Sequence, residues 1–241
     1  WWRRESVLMD DKIIGFFIGA GGGCGDPTSN IQALGDRLVL KDFDARPDEE
    51  GISPVCFWSS PGPHTFYLNR TRSSSSLLPG KLEAMDYLQE NGQPWRSEAE
   101  LVDTITIMTE SLDGYCEASG LWPHFLSMDI QGAEYEVLKG GPKALKSLLA
   151  IITEVEYLQI YEGQKLFADI DALLRTAQFQ FIRLYNPQHW RLHPADPGPV
   201  LTVGEALFLR RPEGLDEATM EKLAQIAKCF GFPNYTEGTK Q

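Results

Sequence analysis

Short, fully apolar runs alternate with stretches of helical period along most of this chain, and that alternation predicts a sheet covered by helices. Ile13–Ala20 is apolar throughout and too short for a helix, which makes it a buried strand; a glycine-rich turn follows, then a short helix near Thr28–Leu34. Arg37–Phe43 reads as a second strand closing on Asp44-Ala-Arg-Pro47, Val55–Ser59 as a third, and Thr65–Asn69 as a short extra strand after the Pro61-Gly-Pro63 turn. Residues 71–100 are polar and irregular, with a weakly patterned helix around 81–90. Thr104–Met108 alternates as a strand does, and 109–119 has helical character.

Beyond that point the pattern sharpens. Phe125–Ile130 predicts a strand, Ala133–Leu148 a helix, and the β-branched run Ala150–Tyr157 another strand. Phe167–Ala177 carries Phe167, Ile170, Leu173 and Leu174 at helical spacing. Phe179–Tyr185 and Glu205–Arg210 are late strands separated by the loop 186–204, and Leu215–Phe230 closes the chain with a stripe of Leu215, Met220, Leu223, Ile226 and Phe230. Strands alternating with helices imply a parallel, doubly wound α/β sheet, and two late strands without a helix between them imply an antiparallel hairpin at one edge. No repeat and no linker interrupts the pattern, so residues 1–241 are read as one domain, with its core over 12–210 and a terminal helix over 215–230.

Composition changes this picture in one respect. A net charge of −12 excludes the basic surface that nucleic acid or an anionic membrane requires. Cys24, Cys56, Cys116 and Cys229 are scattered without a C-x-x-C pair, which argues against a zinc knuckle or a disulfide framework and for a reducing, cytoplasmic setting, with Cys24, Cys56 and Cys229 read as small buried or semi-buried residues. The apolar runs are too short to span a bilayer. The chain opens on Trp1 with no signal-peptide pattern and no methionine, as expected of a start that has been lost or processed. Oligomeric state is not legible.

Chemistry concentrates where strands end. In Phe125-Leu-Ser-Met-Asp129-Ile-Gln-Gly132-Ala-Glu134 an apolar strand closes on a carboxylate, turns at a glycine and enters a helix bearing a second acid. The carboxyl ends of strands are where open α/β sheets bind ligands, so both acids point at a crevice. Gly19-Ala-Gly-Gly-Gly-Cys-Gly25 follows the first strand, where glycines let backbone N–H groups approach a nucleotide-like ligand. Its register fails the dinucleotide fingerprint, because Cys24, Asp26 and Thr28 fall at the sixth positions counted from Gly19, Gly21 and Gly23. A nicotinamide-dependent oxidoreductase is therefore the disfavoured alternative. Asp44, with Asp42 as its rival, is placed to accept hydrogen bonds from ribose hydroxyls.

These residues resemble the FkbM family of S-adenosylmethionine-dependent methyltransferases over roughly 12–210. Phe16–Gly23 resembles its first motif, Phe43-Asp44-Ala-Arg-Pro47 its Phe-Glu-Pro segment, and Ser127–Gly140 its Lys-Ile-Asp-x-x-Gly-x-Glu-x-x-x-Leu-x-Gly segment. Thr65–Leu78 and Thr153-Glu-Val-Glu156 with Tyr161-Glu-Gly-Gln164 resemble further segments. The resemblance implies a Rossmann-like class I methyltransferase fold with a seven-stranded, mostly parallel sheet, an antiparallel final strand at its edge and helices on both faces. It also implies S-adenosylmethionine as cofactor, a hydroxyl acceptor on a small metabolite or glycan, and no metal. Gly19, Ala20, Gly21 and Asp44 become candidate cofactor contacts, with Trp58 and Ser59 near the adenine. Asp129 becomes the candidate base, supported by Glu134, Glu154 and Glu156. Glu154 and Glu156 share one face of their strand inside an apolar run, where carboxylates without partners are costly.

One departure stands out. Phe17 occupies the place where the family carries an aspartate before its Gly-Ala turn. Its absence weakens cofactor binding, moves that acid's task elsewhere, or marks a member that binds without efficient turnover. His189 and His193 sit in a proline-bearing loop and are read as surface residues.

Overall fold

The computed structural model describes residues 11–20, 28–47, 50–81, 89–90, 93–193, 195 and 197–237. Strand β1, Ile13–Ile18, is followed by a 3-10 helix over Thr28–Arg37 that kinks at Gly35, then by β2, Leu38–Asp44, β3, Ser53–Pro54, β4, Cys56–Phe57, and β5, Gly62–Asn69. Two short strands, β6 Gln89–Glu90 and β7 Gln93–Pro94, lead to a one-turn helix α1, Arg96–Ala99, and the long β8, Leu101–Glu110. Helix α2, Leu112–Ser119, strand β9, Phe125–Met128, helices α3, Glu134–Lys139, and α4, Ala144–Ser147, and strand β10, Ala150–Glu156, come next. Helix α5, Phe167–Thr176, strands β11, Phe179–Trp190, and β12, Val200–Arg210, and helix α6, Glu217–Cys229, complete the order.

The main sheet has seven strands in the order β11-β12-β10-β9-β1-β2-β3. All neighbours from β3 to β10 pair in parallel, and β12 runs antiparallel to both β10 and β11. The antiparallel strand therefore lies second from the edge, because the chain's last strand inserts inside β11. Strand alternation sends the two faces of the sheet into separate cores. Phe16, Ile18, Leu126, Met128, Ile151 and Val155 pack with Leu112 of α2, Val137 and Leu138 of α3 and Ile170 and Leu174 of α5. Ile13, Phe17, Phe125 and Ile152 pack on the other face against Ile31, against Leu223 and Ile226 of α6, and against Phe230 just beyond it.

Four expected elements differ, each for a physical reason. The third strand expected over Val55–Ser59 is replaced by two short ones: Ser53–Pro54 (β3) pairs with β2, while Cys56–Phe57 (β4) joins a second sheet of order β4-β8-β5. The helix expected over Ala133–Leu148 breaks at Gly140-Gly141-Pro142, where a Cβ on Gly140 would stand 2.6 Å from the Trp58 carbonyl oxygen. The loop expected over 186–204 is largely strand. Pro187 is accommodated by the irregular register between Tyr185 and Gln188 on the edge strand, and Trp190 anchors the hairpin by burying against Trp95 at 5.0 Å. β8 outgrows the expected Thr104–Met108 because β5 pairs along nearly its whole length. Most of the helix expected around 81–90 lies outside the described residues, and its last two residues form β6.

Candidate active site

A cavity of about 380 Å³ opens at the carboxyl ends of β1, β2 and β9, the place a doubly wound sheet reserves for ligands. Ile18, Gly19, Asp44 and Asp129 form its floor, and Cys56, Phe57 and Phe66 of the second sheet form one wall. The turns after β1 and β9 touch through their backbones. A Cβ on Gly19 would lie 1.9 Å from the Asp129 carbonyl oxygen, and Gly19 has φ 89°, so only glycine fits there.

Asp129 remains exposed to the cavity although protein surrounds it closely. Gln131 Nε2 donates to Asp129 Oδ1 at 2.8 Å and to Glu154 Oε2 at 3.2 Å, so one amide spans two carboxylates from different strands. Gln131 can do this because it adopts a left-handed backbone, φ 59°, which non-glycine residues rarely take. Its other groups are held as well: Ser76 Oγ donates to its carbonyl at 2.7 Å, and the Tyr161 hydroxyl lies 3.1 Å from Gln131 Oε1 and 2.9 Å from Ser74 O.

Burial raises the pKa of both carboxyls in this pair. Asp129 is raised by desolvation, against which the hydrogen bonds from Gln131 and Glu154 work. Glu154 is pushed well above the carboxylate range by burial and then by the charges of Asp129, Glu156 and Glu134. Glu154 therefore keeps the proton and Asp129 is the member that ionises first.

The other expected acids have different surroundings. Glu134 is 1% exposed and turns its carboxylate back into the β9–α3 turn, where Oε1 accepts from Ile130 N at 2.9 Å and Gly132 N at 3.3 Å. Burial, with Asp129's charge assisting, moves its pKa to about 7. It organises the turn that carries Asp129 and does not line the cavity. Glu156 is equally buried beside Gln164, whose side chain works against the rise, but burial and Glu134's charge hold its pKa well up. It lies off the cavity too.

Among the expected cofactor contacts, Gly19 and Asp44 line the cavity and Asp42 does not. Asp44 Oδ1 accepts from Arg46 N at 2.6 Å, and the Arg72 guanidinium approaches within 4.0 Å. Ala20 lines a smaller pocket of about 60 Å³ on the other face of the sheet, with Phe17, Thr28, Ser127, Glu154 and Glu205. Gly21 lies outside the described residues. Trp58 and Ser59 are displaced from the cavity: the Trp58 ring packs on His64 at 5.4 Å, both backbones press on Gly140, and Cys56 and Phe57 stand where those residues were expected. Phe17 is 3% exposed and packs edge-on against Phe125 at 5.9 Å, facing a pocket that holds Glu154 and Glu205.

Sequence reasoning passed over Gln131, Tyr161, Arg72 and Glu205. Gln131 stood in plain view between Asp129 and Gly132, but its reach depends on a left-handed φ that nothing in the residue type announces. Glu205 becomes visible only through its register opposite Glu154. Among the described residues no cluster of three or more His, Cys, Asp or Glu has the arrangement of a metal site, and no helix is long and apolar enough to cross a membrane.

The family model for the Methyltransferase FkbM domain matches residues 32–181, more than half of the chain. The match begins after β1 and the glycine turn, so Phe17 falls outside it. The chain is 39% identical over 61 residues to the 2-O-methyltransferase NoeI of Sinorhizobium fredii (strain NBRC 101917 / NGR234), an alignment spanning 25% of this chain and 25% of that protein. Comparison with the crystal structure of Methyltransferase FkbM from Methylobacillus flagellatus KT gives 13% identity and a TM-score of 0.39, covering 83% of this chain and 44% of that one. At that score the structural likeness carries no weight, and the assignment rests on the family match. This chain belongs to the FkbM methyltransferase family.

Proposed function

We propose that the chain is an S-adenosylmethionine-dependent O-methyltransferase acting on a hydroxyl of a small metabolite or glycan. The observation that carries this reading is the Asp129–Gln131–Glu154 arrangement, a carboxylate exposed to the cavity and held by an amide that also holds a second, proton-retaining acid. The similarity to NoeI, a 2-O-methyltransferase, supports an oxygen acceptor.

The residues present fit the cofactor. Gly19 offers backbone without a Cβ at the cavity floor, and Asp44 presents a carboxylate to vicinal hydroxyls. When bound, S-adenosylmethionine supplies a methyl group on a sulfonium for in-line transfer. Asp129 is placed to take the acceptor's hydroxyl proton. Gln131 fixes the Asp129 carboxylate in one orientation, and Glu154, by keeping its own proton, leaves Asp129 as the acid able to accept another. Phe57, Phe66 and Leu77 give the cavity apolar lining.

Phe17 favours a second reading, a member that binds the cofactor without efficient turnover. Calorimetry with S-adenosylmethionine, S-adenosylhomocysteine and NAD, joined to a screen of hydroxylated acceptors with labelled methyl donor, separates the two. Binding of a sulfur cofactor with transfer to a hydroxyl supports the first reading, and binding with no transfer to any acceptor supports the second. Tight NAD binding without either sulfur cofactor overturns both. Asp44→Ala is expected to weaken cofactor affinity about tenfold or more, the value of at least one hydrogen bond to a charged group.

A further inference from the structure

The second sheet ends in an open strand edge. β8 pairs with β5 along one side, while on its other side β4 reaches only Thr109 and Glu110. From Thr104 to Met108 that other side has no strand partner among the described residues. Two hydrogen bonds reveal which backbone groups face it. Trp58 N of the β4 side donates to Glu110 O at 2.9 Å, and the Thr104 N–H turns to its neighbour Asp103 Oδ1 at 2.8 Å. Even-numbered residues here thus direct N–H and C=O outward, and the odd-numbered ones face β5.

Natural sheets protect such edges with lysine, proline, inward charges or bulges. The window Thr104-Ile-Thr-Ile-Met108 has none of these, and Met108 is 66% exposed. The register shift opposite Leu68 and Asn69 lies before it and β4 begins after it, so the unprotected length is bounded at both ends.

We propose that this edge pairs antiparallel with the same edge of a second copy of the chain, about a two-fold axis through Thr106. In that register Thr106 lies opposite itself and Thr104 opposite Met108, so the outward groups of Thr106 and Met108 find partners, and the Thr104 N–H exchanges Asp103 Oδ1 for the Met108 carbonyl of the second copy. On the inner face Ile105 meets Ile107 of the second copy. The pairing stops at Thr109, where β4 already occupies the edge. A second copy fits better than another chain because the window is self-complementary and uncharged. The window itself carries no charge, so two chains that each bear a net charge of −12 can meet there without setting acids directly opposite one another. The contact is isologous, and joins two three-stranded sheets into one of six.

Sedimentation of the full chain over a range of concentrations tests this. The wild type is expected to show a monomer–dimer equilibrium. Thr106→Pro removes an N–H that faces outward, leaves the β5 ladder intact, and is expected to weaken self-association at least about tenfold with an unchanged circular dichroism spectrum. Thr106→Lys is the second variant should the proline disturb the strand. Thr106→Cys is expected to cross-link to itself on mild oxidation, since directly paired residues stand about 5.5 Å apart. Thr65→Cys, on the neighbouring β5 and one strand away from the axis, is expected not to. A wild type that stays monomeric at the highest concentration reached overturns the proposal. So does a dimer that survives Thr106→Lys and yields no Thr106→Cys cross-link.

Discussion

The two ends of the same central strands bury polar groups on opposite terms. At the amino end, Arg210 is 8% exposed, its Nε donates to Leu148 O at 2.6 Å, its Nη2 donates to Leu145 O, and its guanidinium lies over Phe179 at 4.7 Å. Beside it, His124 Nδ1 accepts from Ile14 N at 3.0 Å, and burial, reinforced by Lys222, lowers its pKa to about 4. Each group there is held in the ionisation state its partners require. At the carboxyl end, Asp129, Glu134, Glu154 and Glu156 crowd together, and burial raises the pKa of all four. On the proposed function, the end whose acids stay compressed is the end that carries the chemistry.

Breaking each end should have a different consequence. The largest effect is expected from Asp129→Asn, which on the proposed role lowers turnover by about 10²-fold or more while cofactor affinity and melting temperature hold, as single-turnover methyl transfer and calorimetry would record. Arg210→Ala should do the reverse. Leaving the Leu145 and Leu148 carbonyls without their donor is expected to cost about 2–3 kcal/mol in denaturant unfolding, with kcat per folded molecule unchanged.

Gln131→Ala tests the bridge between the two acids. Removing the amide takes away a hydrogen bond that lowers Asp129's pKa, so the acid limb of the pH–rate profile should move to higher pH, with kcat falling about tenfold and the KM for the methyl donor held. A fall in kcat without that displacement would assign Gln131 to packing alone.

The smallest effects carry opposite signs at the two ends. Glu134 has a folded pKa of about 7 against an ordinary 4.5, so the folded state binds more protons in that window and stability is lost as pH rises through it. His124 has a folded pKa of about 4 against 6.5, so the unfolded state binds more protons and stability is lost as pH falls. Thermal melts across pH 4–8 should therefore show a shallower alkaline-side decline in Glu134→Gln, whose amide oxygen still accepts from Ile130 and Gly132 while the raised Glu154 and Glu156 retain the remainder, and a shallower acid-side decline in His124→Asn.

Much of this was legible without coordinates, and the boundary is physical. Residue order alone determined that Ile13–Ile18, Phe125–Met128 and Ala150–Glu156 are buried strands, because side-chain alternation and apolar run length are local properties. It likewise placed Asp44 and Asp129 at strand ends, which is where a doubly wound sheet opens. Tertiary structure alone decided which acids meet. Glu154 reaches Gln131 and shares its amide with Asp129, while Glu156, two residues further along the same strand, is buried off the cavity. That difference depends on strand register and on a left-handed backbone at Gln131. Register likewise sent Cys56 and Phe57, in place of Trp58 and Ser59, to the cavity wall, and left the β8 edge open. Periodicity belongs to neighbours along the chain. Proximity between distant residues depends on how strands are paired, and a single-residue change of register reverses every side chain that follows.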